Sequence, residues 1–280
     1  LSITLVLVVA YMVAEVVGGI LTNSLALLAD AGHMLSDAAA LGLSLFAMWM
    51  AQRPPTVQRT YGYYRAEILA ALANGAALVA IAFYIFIEAY QRFRDPPAVL
   101  GGTMMAIATG GLTVNIAGLA VLRGSREESL NVQGAWLHVL GDTLGSVGAM
   151  IGGLLIWWFE WYWADPVASL VIGLLILYSS WNLLERSVSV LMEHAPGHMD
   201  VDKVHGAMVS VEGVGGVHDL HVWTITTGLE SLSAHVSVES QLPAAEILHG
   251  LRTKLRQEFG IDHVTLQLEP AGFEEHRPEV

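Results

Sequence analysis

The sequence predicts a membrane-embedded α-helical bundle of six transmembrane helices followed by a small α+β domain. Three observations predict it: a shortage of charge, long apolar segments in the first part of the chain, and alternating strand patterns in the last. Of 280 residues, 54% are hydrophobic and 14% charged, and the mean hydropathy is +0.53. Soluble domains carry about 25% charged residues, so the deficit points to lipid. The deficit is uneven, because 1–192 hold the apolar runs while 199–280 are rich in Asp, Glu and His. The expected organisation is a membrane domain over 1–192, a linker at 193–198, an α+β domain over 199–272 and a tail at 273–280.

A spanning helix needs about 20 largely apolar residues. The segments near 1–21, 26–51, 65–90, 99–122, 130–158 and 166–190 meet that length. Turn chemistry separates them at Thr22-Asn23-Ser24, Arg53-Pro54-Pro55, Asp95-Pro96-Pro97, Arg123-Gly124-Ser125 and Asp165-Pro166. Arg53, Arg59, Arg65, Arg123, Arg126 and Arg186 cluster on one side, against Arg92 and Arg94 on the other. Positive charge stays inside, so the second and fourth loops and the C-terminal domain are expected in the cytoplasm. The run Trp157-Trp158-Phe159-Glu160-Trp161-Tyr162-Trp163 then falls at the outer interface as an anchoring belt. Gly18-Gly19, Gly141, Gly145, Gly148 and Gly152-Gly153 are expected to let helix backbones approach closely. Leu1 already lies within an apolar run, which predicts that a preceding segment, such as a signal or a metal-binding tail, is missing.

Net charge is −13 and the pI about 5.2, which excludes nucleic acid as a partner and suits a cation. The chain has no cysteine, so thiolates are not available and Cu(I) is disfavoured.

Ionisable residues inside apolar spans are costly and mark function or pairing. The second span contains Asp30, His33 and Asp37, and the fifth His138 and Asp142. Residues four apart share a helix face, so His33 with Asp37, and His138 with Asp142, each present a ligand pair. Brought together, two imidazole nitrogens and two carboxylate oxygens make a tetrahedral set of the kind Zn²⁺ favours. Two carboxylates and two neutral imidazoles carry a charge that a divalent cation cancels. Without the metal the same groups take up protons, so metal and protons compete for one site. Asp30, one turn from His33, is a candidate outer partner. Asn74, Glu88 and Asn115 are expected to make contacts between helices. A metallohydrolase would need a base beside an open metal position, as in His-Glu-x-x-His; no such motif occurs, so the groups are ligands and the chain is not an enzyme.

Residues 199–270 read as helix, strand, strand, helix, strand. A helix is expected near Val201–Val211, strands at Gly213–Thr226 and Leu229–Glu239 around the turn Thr227-Gly228, a helix from Leu242-Pro243 to about Phe259, and a strand at Val264–Glu269. This αββαβ order builds a sheet with helices on one face. Alternate strand residues share a face, which makes His218, His235 and Glu269 candidate metal ligands, with His221, Asp262 and His263 nearby. His194, His198, His205, His249 and His276 are expected to be solvated or linker residues.

These motifs carry a family resemblance. Ser24-Leu-Ala-Leu-Leu-Ala-Asp-Ala-Gly-His33-Met-Leu-Ser-Asp37 resembles the second-span signature of the cation diffusion facilitator (CDF) family. Tyr61-Gly-Tyr-Tyr-Arg-Ala-Glu67 is similar to the start of its third span, and Leu137-His138-Val-Leu-Gly-Asp142 to its fifth-span signature. His218-Asp-Leu-His-Val-Trp223 resembles the start of its cytoplasmic sheet, and the likeness runs in order along nearly the whole chain. The resemblance implies a homodimer that exports Zn²⁺ from the cytoplasm in exchange for H⁺; similar nitrogen and oxygen sites also bind Cd²⁺ and Co²⁺, so the sequence leaves selectivity among the three open. It implies a bacterial inner-membrane location and a ferredoxin-like cytoplasmic domain for dimerisation and regulatory metal. It also implies that His33, Asp37, His138 and Asp142 form the transport site, and it supports His218, His235 and Glu269 as a cytoplasmic site. The chain departs from some relatives in having Gln267 where they carry a ligand His. It also has no His or Asp in Gln52–Thr60, where no metal is expected, and no His from Gly124 to Asn131.

Overall fold

The computed structural model describes residues 2–123, 130–239, 242–270 and 273; the side chains of 2–8, 37, 40, 41, 44, 48, 51, 118, 121–123 and 130–138 lie outside the description. Among the described residues the chain forms eight helices and three strands. In order these are α1 (Ser2–Thr22), α2 (Leu25–Ala51), α3 (Ala66–Arg94), α4 (Gly101–Arg123), α5 (Leu130–Phe159), α6 (Ala164–Leu191), α7 (Val201–Val209), β1 (Val214–Thr226), β2 (Leu229–Val238), α8 (Ala244–Phe259) and β3 (His263–Pro270). The first six helices fall on the six apolar segments. By length and composition α3, α6 and the Val139–Phe159 part of α5 can cross a membrane. In α1 and α2 the described apolar stretches are the shorter Val9–Thr22 and Leu25–Ser36. Helix α4 is diluted by Gly and Thr, and the hydroxyls of Thr109 and Thr113 bond back to the carbonyls of Met105 and Thr109, which satisfies them within the helix.

The chain divides into two compact units, Leu1–Phe46 with Ala70–Leu184, and Ala47–Leu69 with Glu185–Val280. In the first, Leu27, Leu78, Ile85, Met104, Ala149, Ile172 and Ile176 form the core. Helices α4 and α5 touch backbone to backbone. A Cβ on Gly153 would sit 2.8 Å from the Met105 nitrogen and 2.9 Å from the Gly101 oxygen, so only hydrogen fits there. Trp157, Trp158, Phe159, Trp161 and Trp163 are all at least 56% exposed, as an interfacial belt requires. Tyr162 instead packs against the core.

The sequence pattern places Asp165 in a turn, and the structure corrects this. Asp165 lies in the first turn of α6, where the following Pro166 lacks a donor that the helix start does not need. Its carboxylate is fully buried and accepts from Ser24 Oγ at 2.6 Å, Leu25 N at 2.8 Å and Ala26 N at 3.1 Å. The first amides of α2 have no partner within their own helix, and a carboxylate satisfies both their hydrogen bonds and the helix dipole. Ser24 Oγ also accepts from Leu27 N. Arg92 Nη1 lies 3.6 Å from Asp165 and donates to the Asn23 carbonyl at 2.6 Å. The start of α2 is thus clamped to α6 and α3.

In the second unit the strand order is β1-β2-β3, antiparallel between β1 and β2 and parallel between β2 and β3. The expected αββαβ order holds, with ends shifted by one or two residues. Val204, Met208, Ile247, Leu251 and Leu255 from the helices pack on Val222, Leu232, Ala234 and Val236, which leaves the other sheet face to polar residues. Gly228 takes φ +75° in the β1–β2 hairpin, a conformation that costs glycine nothing. The segment after α2 belongs to this unit. Glu67 accepts from the hairpin hydroxyls of Thr226, at 2.5 Å, and Thr227, at 3.1 Å. Arg65 pairs with Glu193 at 2.7 Å, and Tyr61 meets the His263 ring edge-on at 5.7 Å.

Substituting Asp165→Ala strands the Ser24 hydroxyl and two amides, and leaves Arg92 only Glu88 and Asn23 as partners. A loss of roughly 3 kcal/mol is expected, as for other broken buried charge networks, read as a lower thermal midpoint in detergent. Asp165→Asn should recover part of it, and an unchanged midpoint for Asp165→Ala would refute the clamp.

Candidate metal centres

Two places gather His and carboxylate groups. In the first unit, α2 carries Asp30 and His33, and α5 carries Asp142. His33 Nε2 lies 3.2 Å from Asp142 Oδ1, and both side chains are largely buried. A tetrahedral ion bound at about 2.0–2.1 Å holds its ligands about 3.3 Å apart. The separation of these two donors therefore already matches one edge of a zinc tetrahedron. Asp30 is also buried and faces α5, since a Cβ on Gly145 would lie 3.7 Å from its Oδ1. Asp37 and His138 lie on α2 and α5, but their side chains are outside the described residues.

Polar contacts beside the candidate ligands tie their helices down. Ser36 Oγ donates to Asn74 Oδ1 at 3.0 Å, joining α2 to α3. Asn115 Nδ2 donates to Ser146 Oγ at 3.2 Å, joining α4 to α5 one turn beyond Asp142. Glu88 accepts from Arg92 within α3.

The paired His and Asp motif does not point to Glu15, yet the structure does. This α1 carboxylate is fully buried, with Asp30 and Tyr11 as its polar neighbours. Tyr11 in turn donates to the Ile107 carbonyl at 3.0 Å. A lone carboxylate in an otherwise uncharged Ser2–Thr22 segment is the signal that finds it. Glu15 and Asp30 thus add two buried carboxylates, on α1 and α2, to the unit that holds the His33–Asp142 pair.

The second centre lies on the polar face of the sheet. His218, His235 and Gln267 occupy one cross-strand row, and Glu269 follows Gln267 on the same face. His218, His235 and Glu269 each offer a ligand atom, all within 4.8 Å of one another. Glu269 is buried beneath the two rings, with Oε2 at 3.1 Å from His218 Nε2 and Oε1 at 2.9 Å from His235 Nδ1. The rings meet edge to face at 5.4 Å. Two imidazole nitrogens and one carboxylate fit Zn²⁺ with a fourth position open. Gln267 is not a ligand here: its amide donates to Glu269 Oε1 at 2.8 Å and steadies the carboxylate.

Of the neighbouring candidates, His221 lies 3.0 Å from Asp219, His263 contacts Tyr61, and Asp262 pairs with Arg256 at 3.0 Å. His205 bonds the Val217 carbonyl, and His198 lies 3.9 Å from Glu230. His276 is outside the described residues.

Comparison with known proteins follows the same division. The family model for the cation efflux transmembrane domain matches residues 1–192, and that for the cation efflux protein cytoplasmic domain matches 196–271. The chain is 45% identical over 274 residues to a cadmium, cobalt and zinc/H(+)-K(+) antiporter of Bacillus subtilis strain 168, covering 96% of this chain and 88% of that protein. It is 46% identical over 261 residues to the zinc transporter ZitB of Escherichia coli K12, covering 92% and 83%. It is 42% identical over 276 residues to the metal cation efflux system protein CzcD of Cupriavidus metallidurans, covering 98% and 87%. Among solved structures, the metal-bound C-terminal domain of the CzcD transporter is 38% identical, with a TM-score of 0.25, covering 25% of this chain and 99% of that one.

Zn²⁺ at a hundred times its dissociation constant for the sheet centre should stabilise the folded protein by about 2.7 kcal/mol. With Asp142→Ala silencing the candidate site in the bundle, Glu269→Ala should abolish that shift in thermal melts, and a shift that persists would remove Glu269 from the ligand set.

Proposed function

The chain belongs to the cation efflux family, and from that premise we propose that it is an antiporter exporting Zn²⁺ from the cytoplasm in exchange for protons. The observation that carries the reading is the approach of His33 to Asp142 from two different helices, 3.2 Å apart and largely buried. Nothing in such a pair calls for bond making, and its donors suit an ion that binds, moves and leaves. In this reading Asp37 and His138, one turn along the same helices, complete a four-ligand site. All six long helices span the bacterial inner membrane, the domain over 199–272 lies in the cytoplasm, and two copies form a homodimer. The same nitrogen and oxygen donors accept Cd²⁺ and Co²⁺, so these ions are further cargo.

Coupling follows from charge. A metal-bound site has its carboxylates and imidazoles neutralised by the cation, whereas the metal-free site draws protons to the same lone pairs. A carrier that exposes one site to each side in turn therefore exchanges Zn²⁺ for H⁺ without a separate proton path. The similarity to a zinc/H(+)-K(+) antiporter and to zinc transporters supports this cargo and this coupling. The trio on the sheet is read as a resident Zn²⁺ centre that reports cytoplasmic metal, with His218, His235 and Glu269 as ligands.

In proteoliposomes, Zn²⁺ uptake by the intact protein should rise when the lumen is more acidic than the bath. Asp142→Ala should lower uptake to the level of empty vesicles while the protein remains a folded dimer by size exclusion. Undiminished uptake in that variant would sink the transport-site assignment, and uptake indifferent to the pH difference would sink the proton coupling.

A further inference from the structure

The β1 strand breaks its own alternation at the metal centre. Val217, Leu220 and Val222 all pack toward the helices. The spacing of three, then two, means that His218 and Asp219 leave the core face in succession. The ladder to β2 records the same slip, with a register shift between His218 and His221. Such a bulge adds one residue to a strand and re-aims the side chains beside it. Asp219 takes φ +50°, a left-handed conformation that among L residues Asn and Asp adopt most readily. The bulge therefore delivers a carboxylate to the face that carries His218 and His235.

We propose that Asp219 is the positioning carboxylate of the sheet centre, orienting the His235 ring so that its Nδ1 faces the metal. The proposal rests on reading His218, His235 and Glu269 as a metal centre. Geometrically, His235 turns Nδ1 to Glu269 at 2.9 Å and its opposite nitrogen, Nε2, to Asp219 Oδ2 at 3.8 Å. The second oxygen of Asp219 is held by His221 Nε2 at 3.0 Å. A metal-ligating imidazole needs its other nitrogen protonated and directed at an acceptor, which fixes tautomer and ring plane and raises basicity. Asp219 is the carboxylate on that side of the ring. It is half exposed, so a modest side-chain rotation closes 3.8 Å to a hydrogen bond once Nδ1 carries the metal. His221, which lies near the candidate ligands in sequence, acts in this arrangement as the anchor of Asp219.

The test uses the full chain in detergent, with Asp142→Ala silencing the transport site, and Zn²⁺ titrated against a competing chelator. Asp219→Asn is the informative variant, because Asn tolerates the same backbone conformation and removes only the charge. It should weaken Zn²⁺ binding by about 10–100-fold with one ion per chain still bound at saturation. With Co²⁺ as the probe, its visible absorption at saturation should match that of the unsubstituted centre, since the coordinating atoms are unchanged. His221→Gln should produce a smaller loss. Glu269→Gln, run in parallel, should lose the ion. If Glu269→Gln binds as before, the centre itself is misread. If Glu269→Gln fails to bind but Asp219→Asn binds at full strength, the centre stands and the role given to Asp219 is wrong. Loss of the ion or a changed Co²⁺ spectrum in Asp219→Asn would make Asp219 a ligand, which also overturns the proposal.

Discussion

The candidate ligands Asp30 and His33 take their position from where α2 begins, and the beginning is held by a buried carboxylate that sequence places 140 residues away from Leu25. Asp165 supplies what the first turn of α2 lacks, an acceptor for amides that no preceding turn can serve. In lipid those amides have no water to fall back on, so the requirement is stricter than in a soluble protein. Arg92 balances the charge and reaches the chain just before α2. The result is a fixed rotation and depth for α2, and hence for Asp30 and His33 relative to Asp142. Ser36 with Asn74, and Asn115 with Ser146, repeat the device at lower cost with neutral groups.

The two candidate metal centres bring imidazole to carboxylate with different backbones. In the bundle, Asp30 and His33 ride three residues apart on α2, and His33 meets Asp142 of α5. On the sheet, the row His218–His235–Gln267 comes from strand register, and the extra residue of a bulge brings in Asp219. Both centres oppose imidazole to carboxylate at about one tetrahedral edge. They differ in surroundings. The bundle pair has Glu15 and Asp30 as further buried carboxylates in an apolar unit. The sheet centre stands at a domain surface near water, with Gln267 and Asp219 flanking its ligands, an arrangement better suited to holding an ion than to passing it on.

The segment Tyr61–Glu67 connects these themes. Its resemblance to a family signature comes with no ligand chemistry, and the structure supplies a reason for its residue types. Glu67 accepts from both hydroxyls of the β1–β2 hairpin, and Tyr61 and Arg65 make further contacts within the same unit. The stretch that leads into the third span is thus part of the C-terminal unit's packing.

Much of the fold was legible in the residues, because its signals are local. Apolar length marks the six helices, alternation marks the strands, and Thr227-Gly228 marks the hairpin. The candidate ligands were also legible, since His and Asp at a four-residue spacing in apolar segments have few other uses. Glu15 was legible only as a stray charge, because nothing local says that α1 passes beside Asp30. Asp165 looked like punctuation before Pro166, since its partners at Ser24, Leu25 and Ala26 are distant in sequence. Asp219 looked like one more strand residue, because a bulge depends on how two strands register and not on either strand alone. Local residue patterns mark the candidate cation ligands and the elements on which they ride. Tertiary structure decided which of them meet, because a buried carboxylate is placed by the donors that other elements bring to it.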